Sequence, residues 1–184
     1  MKEAIFIASP RVILDPDHVG ERMQIRRYRD DDRDAVMALA PRLTTGVAPW
    51  RRSDAVLAAV HDWVDASLEG HDVDDRPVFV ADDAGIIVGF ATAGTRKHWS
   101  GQVDAYIGEL AVAGDCLTRG IGRAMVAAIE TWARTAGYSR IMLETGAGND
   151  SGLAFYAALG YTTEEVVLTR DLAAGTEAGP PRLT

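Results

Sequence analysis

Apolar residues recur along this chain with two periods. Ile121, Met125, Ala128, Ile129, Trp132 and Ala136 share one helical face, and they predict a long helix that opens at Gly120-Ile121-Gly122 and stops at Gly137. Val56, Leu57, Val60, Trp63, Val64 and Leu68 predict a second helix over 53–68, with Trp63 in the core. A third starts at the Asp30-Asp31-Asp32 cap and reaches Leu43, turning Ala35, Val36, Leu39 and Ala40 inward. A short fourth covers 151–159. Strand patterns lie at 24–28, 77–82, 86–95, a segment ending near Val112, 140–145 and a β-rich stretch at 162–170. Asp83-Ala84-Gly85 is a hairpin signal between the second and third of these. The order β-α-α-β-β-β-α-β-α-β predicts an α/β (α+β) fold with a mixed, mainly antiparallel sheet and helices on both faces. Only the strand-helix-strand unit around residue 120 needs to be parallel.

The residues between Val112 and the long helix carry the first chemical signal. Leu117-Thr118-Arg119-Gly120-Ile121-Gly122 leads into a helix N-terminus, where the first N–H groups lack intrahelical partners and the macrodipole is positive. Such a loop binds anions, and phosphate above all. Arg119 and Arg123 flank it. A Walker loop is excluded, because no Gly-Lys-Ser/Thr triplet occurs. A dinucleotide fingerprint would need glycine at Met125, and its first glycine should close the strand at once. Gly120 lies eight residues past Val112. Glu144, at the end of the next strand, keeps that reading open as a competitor.

A second run follows, Asn149-Asp-Ser-Gly152-Leu-Ala-Phe155-Tyr156-Ala-Ala-Leu-Gly160-Tyr161. Together with the strand Glu109-Leu110-Ala111-Val112 and the loop at 117–122, it resembles the GNAT N-acetyltransferase superfamily over about residues 25–170. Leu117 stands where that family usually has Gln or Arg, and Gly152 where it has Ala. The resemblance implies a GNAT-like sheet of six to seven strands and acetyl-CoA as co-substrate. It implies that Leu110, Ala111 and Val112 hold pantetheine in a gap between two splayed strands. Leu117, Thr118, Arg119, Gly120, Ile121, Gly122 and Arg123 would then hold the pyrophosphate. Asn149 would bind pantetheine or cap its helix, and Tyr156 would be the acid for the leaving thiolate. The acceptor amine would attack the thioester directly, with Glu109 as first candidate for base and Glu144 as second. Trp50 and Trp99, in the two loops that would face the acceptor, join Glu109 as candidate substrate contacts.

Composition narrows the acceptor and the setting. Nineteen basic and 27 acidic residues give a net charge of −8, which opposes nucleic-acid binding and suits a small cationic amine, an aminoglycoside-like antibiotic among them. A resistance role would follow from that acceptor. A peptide or protein acceptor, and a non-catalytic acyl-CoA-binding domain, are the competing readings. Cys116 is the only cysteine, so no intramolecular disulfide forms, and with no apolar run long enough to span a membrane a cytoplasmic protein is expected. Asp15-Pro-Asp17-His-Val-Gly20 begins like a calcium loop but fails at Val19 and Arg26, so no metal is expected. The chain divides into an extension over 1–22, one acetyltransferase domain over 23–170 and a flexible tail over 171–184. Dimers are frequent in the family, and a homodimer fits.

Overall fold

The computed structural model describes residues 23–71 and 74–172. One sheet orders its strands by sequence: β1 (Met23–Arg27), β2 (Val78–Asp83), β3 (Ile86–Lys97), β4 (Val103–Val112) and β5 (Ile141–Leu143). The first three pairings are antiparallel and β4–β5 is parallel, as the strand-helix-strand unit requires. The helices are α1 (Arg33–Leu39), α2 (Ser53–Glu69), α3 (Ile121–Thr135) and α4 (Asp150–Ala158). The first expected helix is shorter than its apolar pattern and passes into a 3-10 turn over Ala40–Thr44. Pro41 has no N–H to continue the α ladder.

Strand alternation explains why both faces are covered. Val80, Phe90 and Ala111 point to one side, where they meet Val36 of α1 and Val60, Val64 and Leu68 of α2. Their neighbours Ala81, Ala91 and Val112 point to the other, against Ile121, Met125, Val126 and Ile129 of α3. The long helix thus buries most of the face that its periodicity marked, whereas Ala136 is exposed at its C-terminal cap.

Two expectations are not met among the described residues. The sheet has five strands among the described residues, where six to seven were expected. Residues 162–170 pair with no strand, and every one of them is exposed. The expected strand at 140–145 keeps only Ile141–Leu143, because β4 and β5 part beyond that point. The extension over 1–22 and the tail beyond Leu172 lie outside the described residues. Among the described residues, no helix is long and apolar enough to cross a membrane.

Candidate active site

The site begins at an irregularity in β4. Ala91 pairs with Leu110 and Ala93 with Ile107, so β4 carries one residue more than β3 across this stretch. The extra residue is a bulge at Gly108-Glu109, and a bulge bends its strand. A Cβ on Gly108 would lie 2.6 Å from Thr92 Oγ1, so only glycine fits. On its other edge, β4 pairs with β5 only at Ala105–Ile107. Beyond it the two strands diverge and leave a cavity of about 410 Å³. Trp63 of α2 and Tyr156 of α4 both line it. These helices cover opposite faces of the sheet, so the cavity runs through the gap from one face to the other.

Glu109 sits in this gap with one carboxylate oxygen held twice. Thr92 Oγ1 donates a short hydrogen bond to Oε2, and Ser67 Oγ of α2 donates a second at 3.3 Å. The Glu109 N–H in turn donates to Thr92 Oγ1 at 2.9 Å. Burial pushes the Glu109 carboxyl above its ordinary range, against the pull of the two hydroxyls. We expect Thr92→Val to move the acid limb of kcat/KM about one unit to higher pH and to lower activity roughly tenfold on that limb, since a hydrogen bond to a charged group is worth about 1.5 kcal/mol. Thr92→Ser should restore both. An unmoved limb in a pH–rate profile would leave Thr92 a structural role only.

Glu144 stands at the rim in another state. Arg96 Nη1 pairs with it at 2.7 Å, Tyr106 Oη donates to it at 3.5 Å, and the Arg96 guanidinium lies over the Tyr106 ring. Tyr156 lies half-buried between Phe155 and Tyr161, and burial pushes its hydroxyl up to about 12. Asn149 caps α4: its Oδ1 accepts from the Gly152 N–H at 3.0 Å, and its Nδ2 donates to Thr145 at 3.0 Å. The turn at 146–149 is crossed closely by the loop after α1. A Cβ on Gly146 would lie 2.3 Å from the Gly46 carbonyl oxygen.

The expected anion loop enters α3 as the sequence implied. Thr118 and Gly120 both hold positive φ, 65° and 78°, the kind of backbone turn in which successive N–H groups can line an anion site. Leu117 is exposed. Ile121 is buried in the core, and Gly122 packs closely on Phe155. Arg119 is engaged by Asp83 at 3.1 Å and by Cys116 Sγ at 3.3 Å, whereas Arg123 is exposed. Leu110 lines the cavity, while Ala111 and Val112 are buried past its end in the ladder with β3. The parted strands and this loop share one side of the sheet with α3 and α4. That arrangement fits a long thioester whose diphosphate rests on α3.

The aromatic expectations divide differently. Trp50 (65% exposed) and Trp99 (84% exposed) do not line the cavity, and Trp99 Nε1 instead donates to Glu165 at 3.2 Å. Trp63, expected in the core, is 60% exposed and forms part of the cavity wall, with Val60 beside it. Sequence reasoning also missed Thr92 and Ser67. Each is a hydroxyl set within an apolar pattern, and that was the available signal.

The acetyltransferase (GNAT) family profile matches residues 37–161. The chain belongs to the GNAT acetyltransferase family. Among solved structures, this GNAT chain is similar to the aminoglycoside N-acetyltransferase AAC(6')-Iy in complex with CoA, with a TM-score of 0.61 at 23% identity over 86% of this chain and 99% of that one. It is similar to a putative acetyl transferase from Pyrococcus furiosus, with a TM-score of 0.65 at 18% identity over 82% and 99%. It is also similar to the glucosamine-6-phosphate N-acetyltransferase from Arabidopsis thaliana, with a TM-score of 0.58 at 16% identity over 83% and 99%. At these identities the likeness is one of fold. No curated protein sequence matches.

Proposed function

We propose that this GNAT protein transfers the acetyl group of acetyl-CoA to a primary amine of a small cationic acceptor, an aminoglycoside-like compound being the first to try. The observation that carries this is Glu109: a desolvated carboxylate, oriented by two hydroxyls, inside the gap between parted strands. Acetyl-CoA supplies the activated acyl group as a thioester. An alkylamine near pKa 10 is almost wholly protonated at neutral pH, so attack requires that a proton leave the nitrogen. Glu109 takes that proton, directly or through water. The nitrogen then bonds to the acetyl carbon, the C–S bond breaks with its electron pair passing to sulfur, and the second proton shed by the nitrogen ends on the sulfur, so that CoA departs as the thiol. The ring of Trp63 offers the acceptor an apolar wall, and the carboxylates of Glu109 and Glu144 draw its positive charge. The size of the cavity suits a small molecule.

Burial keeps the Tyr156 proton in place at neutral pH. A thiol titrates near 8.5, so full transfer from Tyr156 to the departing sulfur is uphill by a few units, and a hydrogen bond to sulfur is the first part of its role. Tyr156→Phe should therefore lower kcat by roughly tenfold to a hundredfold while acetyl-CoA binding changes little. Titration calorimetry and steady-state rates together check this. An unchanged kcat would remove Tyr156 from the chemistry. The function is tested by following CoA release with a thiol reagent over aminoglycosides, polyamines, amino sugars and peptides. Turnover only on peptides would favour a protein acceptor. Binding of acetyl-CoA without turnover on any of these would leave a non-catalytic domain.

A further inference from the structure

Three neighbouring strands meet at the rim of the cavity in an arrangement that holds a cation. The Arg96 guanidinium of β3 lies 5.3 Å from the centre of the Tyr106 ring of β4 and pairs with Glu144 at 2.7 Å. Tyr106 Oη donates to the same carboxylate at 3.5 Å. Leu143 is the last residue of β5 to pair with β4, so Glu144 stands where the two strands part. Glu144, Tyr106 and Glu109 all line the cavity. An aromatic face beside a carboxylate suits an ammonium group as well as a guanidinium. The chain's own arginine fills that place.

Arg96 is held there weakly. Its side chain and that of Glu144 are 43% and 61% exposed, and ion pairs open to water contribute little. A second partner is at hand. Asp104 stands opposite Arg96 in the β3–β4 register, on the same face of the sheet as Tyr106. Residues so placed have Cβ atoms about 5 Å apart, within the reach of an arginine. Asp104 is buried and forms no ion pair among the described residues. A guanidinium displaced from Glu144 can therefore turn to Asp104 and keep a countercharge.

We propose that Arg96 determines acceptor specificity by occupying the subsite of a second ammonium group, between Glu144 and the Tyr106 ring, and by turning to Asp104 when an acceptor with two amines displaces it. One amine of that acceptor meets Glu109 in the gap, and the other meets Glu144 at the rim. The inference rests on the amine acceptor proposed above and narrows it to compounds that carry at least two ammonium groups.

Calorimetry with CoA present reads amine binding without turnover. The probes are putrescine, cadaverine and their longer homologues, each set against the n-alkylamine of equal length. At least one diamine should bind the wild type roughly fivefold more tightly than its monoamine. Arg96→Met, at an exposed side chain, should raise that ratio about fivefold further, because the acceptor no longer competes with the guanidinium. Asp104→Asn should lower the ratio, because Arg96 then keeps to Glu144. The Arg96→Met/Asp104→Asn double variant should match Arg96→Met alone, a coupling that two independent structural roles would not produce. A ratio that Arg96→Met leaves unmoved or lowers overturns the proposal, the second result meaning that Arg96 only braces Glu144. An Asp104→Asn ratio equal to that of the wild type overturns it as well. Wild-type ratios near one for every diamine overturn it while the amine acceptor stands. Binding of CoA with no amine bound overturns both.

Discussion

Glu109→Gln should reduce kcat/KM for the amine by roughly a hundredfold to a thousandfold, and should flatten its rise with pH. Glutamine keeps the shape and still accepts from Thr92 and Ser67, so the bulge and the α2 contact survive. It cannot take up a proton. Because burial raises the Glu109 carboxyl above its ordinary range, the protonated and inactive form persists to higher pH than for a surface glutamate. The wild-type acid limb should therefore lie above the usual carboxylate region, with activity gained as pH rises through it. Acetyl-CoA affinity, measured by calorimetry, should change little, since the proposed role of Glu109 is to take the proton of the amine. The parallel Glu144→Gln variant separates the two carboxylates. Glu144 pairs with Arg96 at 2.7 Å and sits at the exposed rim, so its loss should appear mainly in KM for a cationic acceptor. A profile unmoved by Glu109→Gln and abolished by Glu144→Gln would reverse these roles.

What could be read from the chain and what could not divide along physical lines. The α3 face was legible because seven of its residues are buried on one stripe, from Ile121 to Ala133, which a period of 3.6 detects directly. The hairpin at Asp83-Ala84-Gly85 was legible because turn chemistry is local. Trp63 misled because apolar spacing reports only that a residue is apolar. Whether it meets the core or the wall of a cleft depends on where the strands opposite it part. The bulge at Gly108-Glu109 depends on the pairing of β3 with β4, and no window along one strand contains that information. Thr92 and Ser67 reach Glu109 from 17 and 42 residues away, so their role emerges only once the sheet and α2 are assembled. The stretch at 162–170 was expected as a final strand from its composition and pairs with none among the described residues. Composition states what a segment can pair as, and a partner must still be within reach.

The largest stability effect should come from Arg26→Met. Arg26 lies in the edge strand β1, and its guanidinium donates to both oxygens of Asp32, at 2.7 and 2.8 Å, and through Nε to Asp82 at 2.9 Å. Both carboxylates belong to buried residues. Asp32 also accepts from the Arg29 N–H at 2.8 Å, and Asp82 accepts from the Gly85 N–H at 2.6 Å. One cation thus ties β1 to the start of α1 and to the β2–β3 turn. Removing it strands two buried negative charges, which costs about 3 kcal/mol or more, the usual result of breaking one side of a buried pair. For a domain of this size that lowers Tm by about 6–12 °C. The pH dependence fixes the cause. The Arg26 hydrogen bond holds Asp32 below its ordinary value, and for Asp82 burial pulls upward but the bonds from Arg26 and Gly85 prevail. Groups depressed in the folded state contribute stability above their unfolded value near 3.9 and lose it as pH falls through the folded value. The methionine variant should therefore show its full deficit at neutral pH, and the gap to wild type should begin to close above about pH 4, where the stranded and desolvated carboxylates take up protons, and shrink further as pH falls through the lowered wild-type values. Adding Asp82→Asn should recover part of the loss at pH 7, because the amide oxygen can still accept from Gly85 while the uncompensated charge is gone. Urea denaturation of the wild type and both variants at two pH values measures this, and a deficit independent of pH would assign the loss to packing of the arginine stem instead.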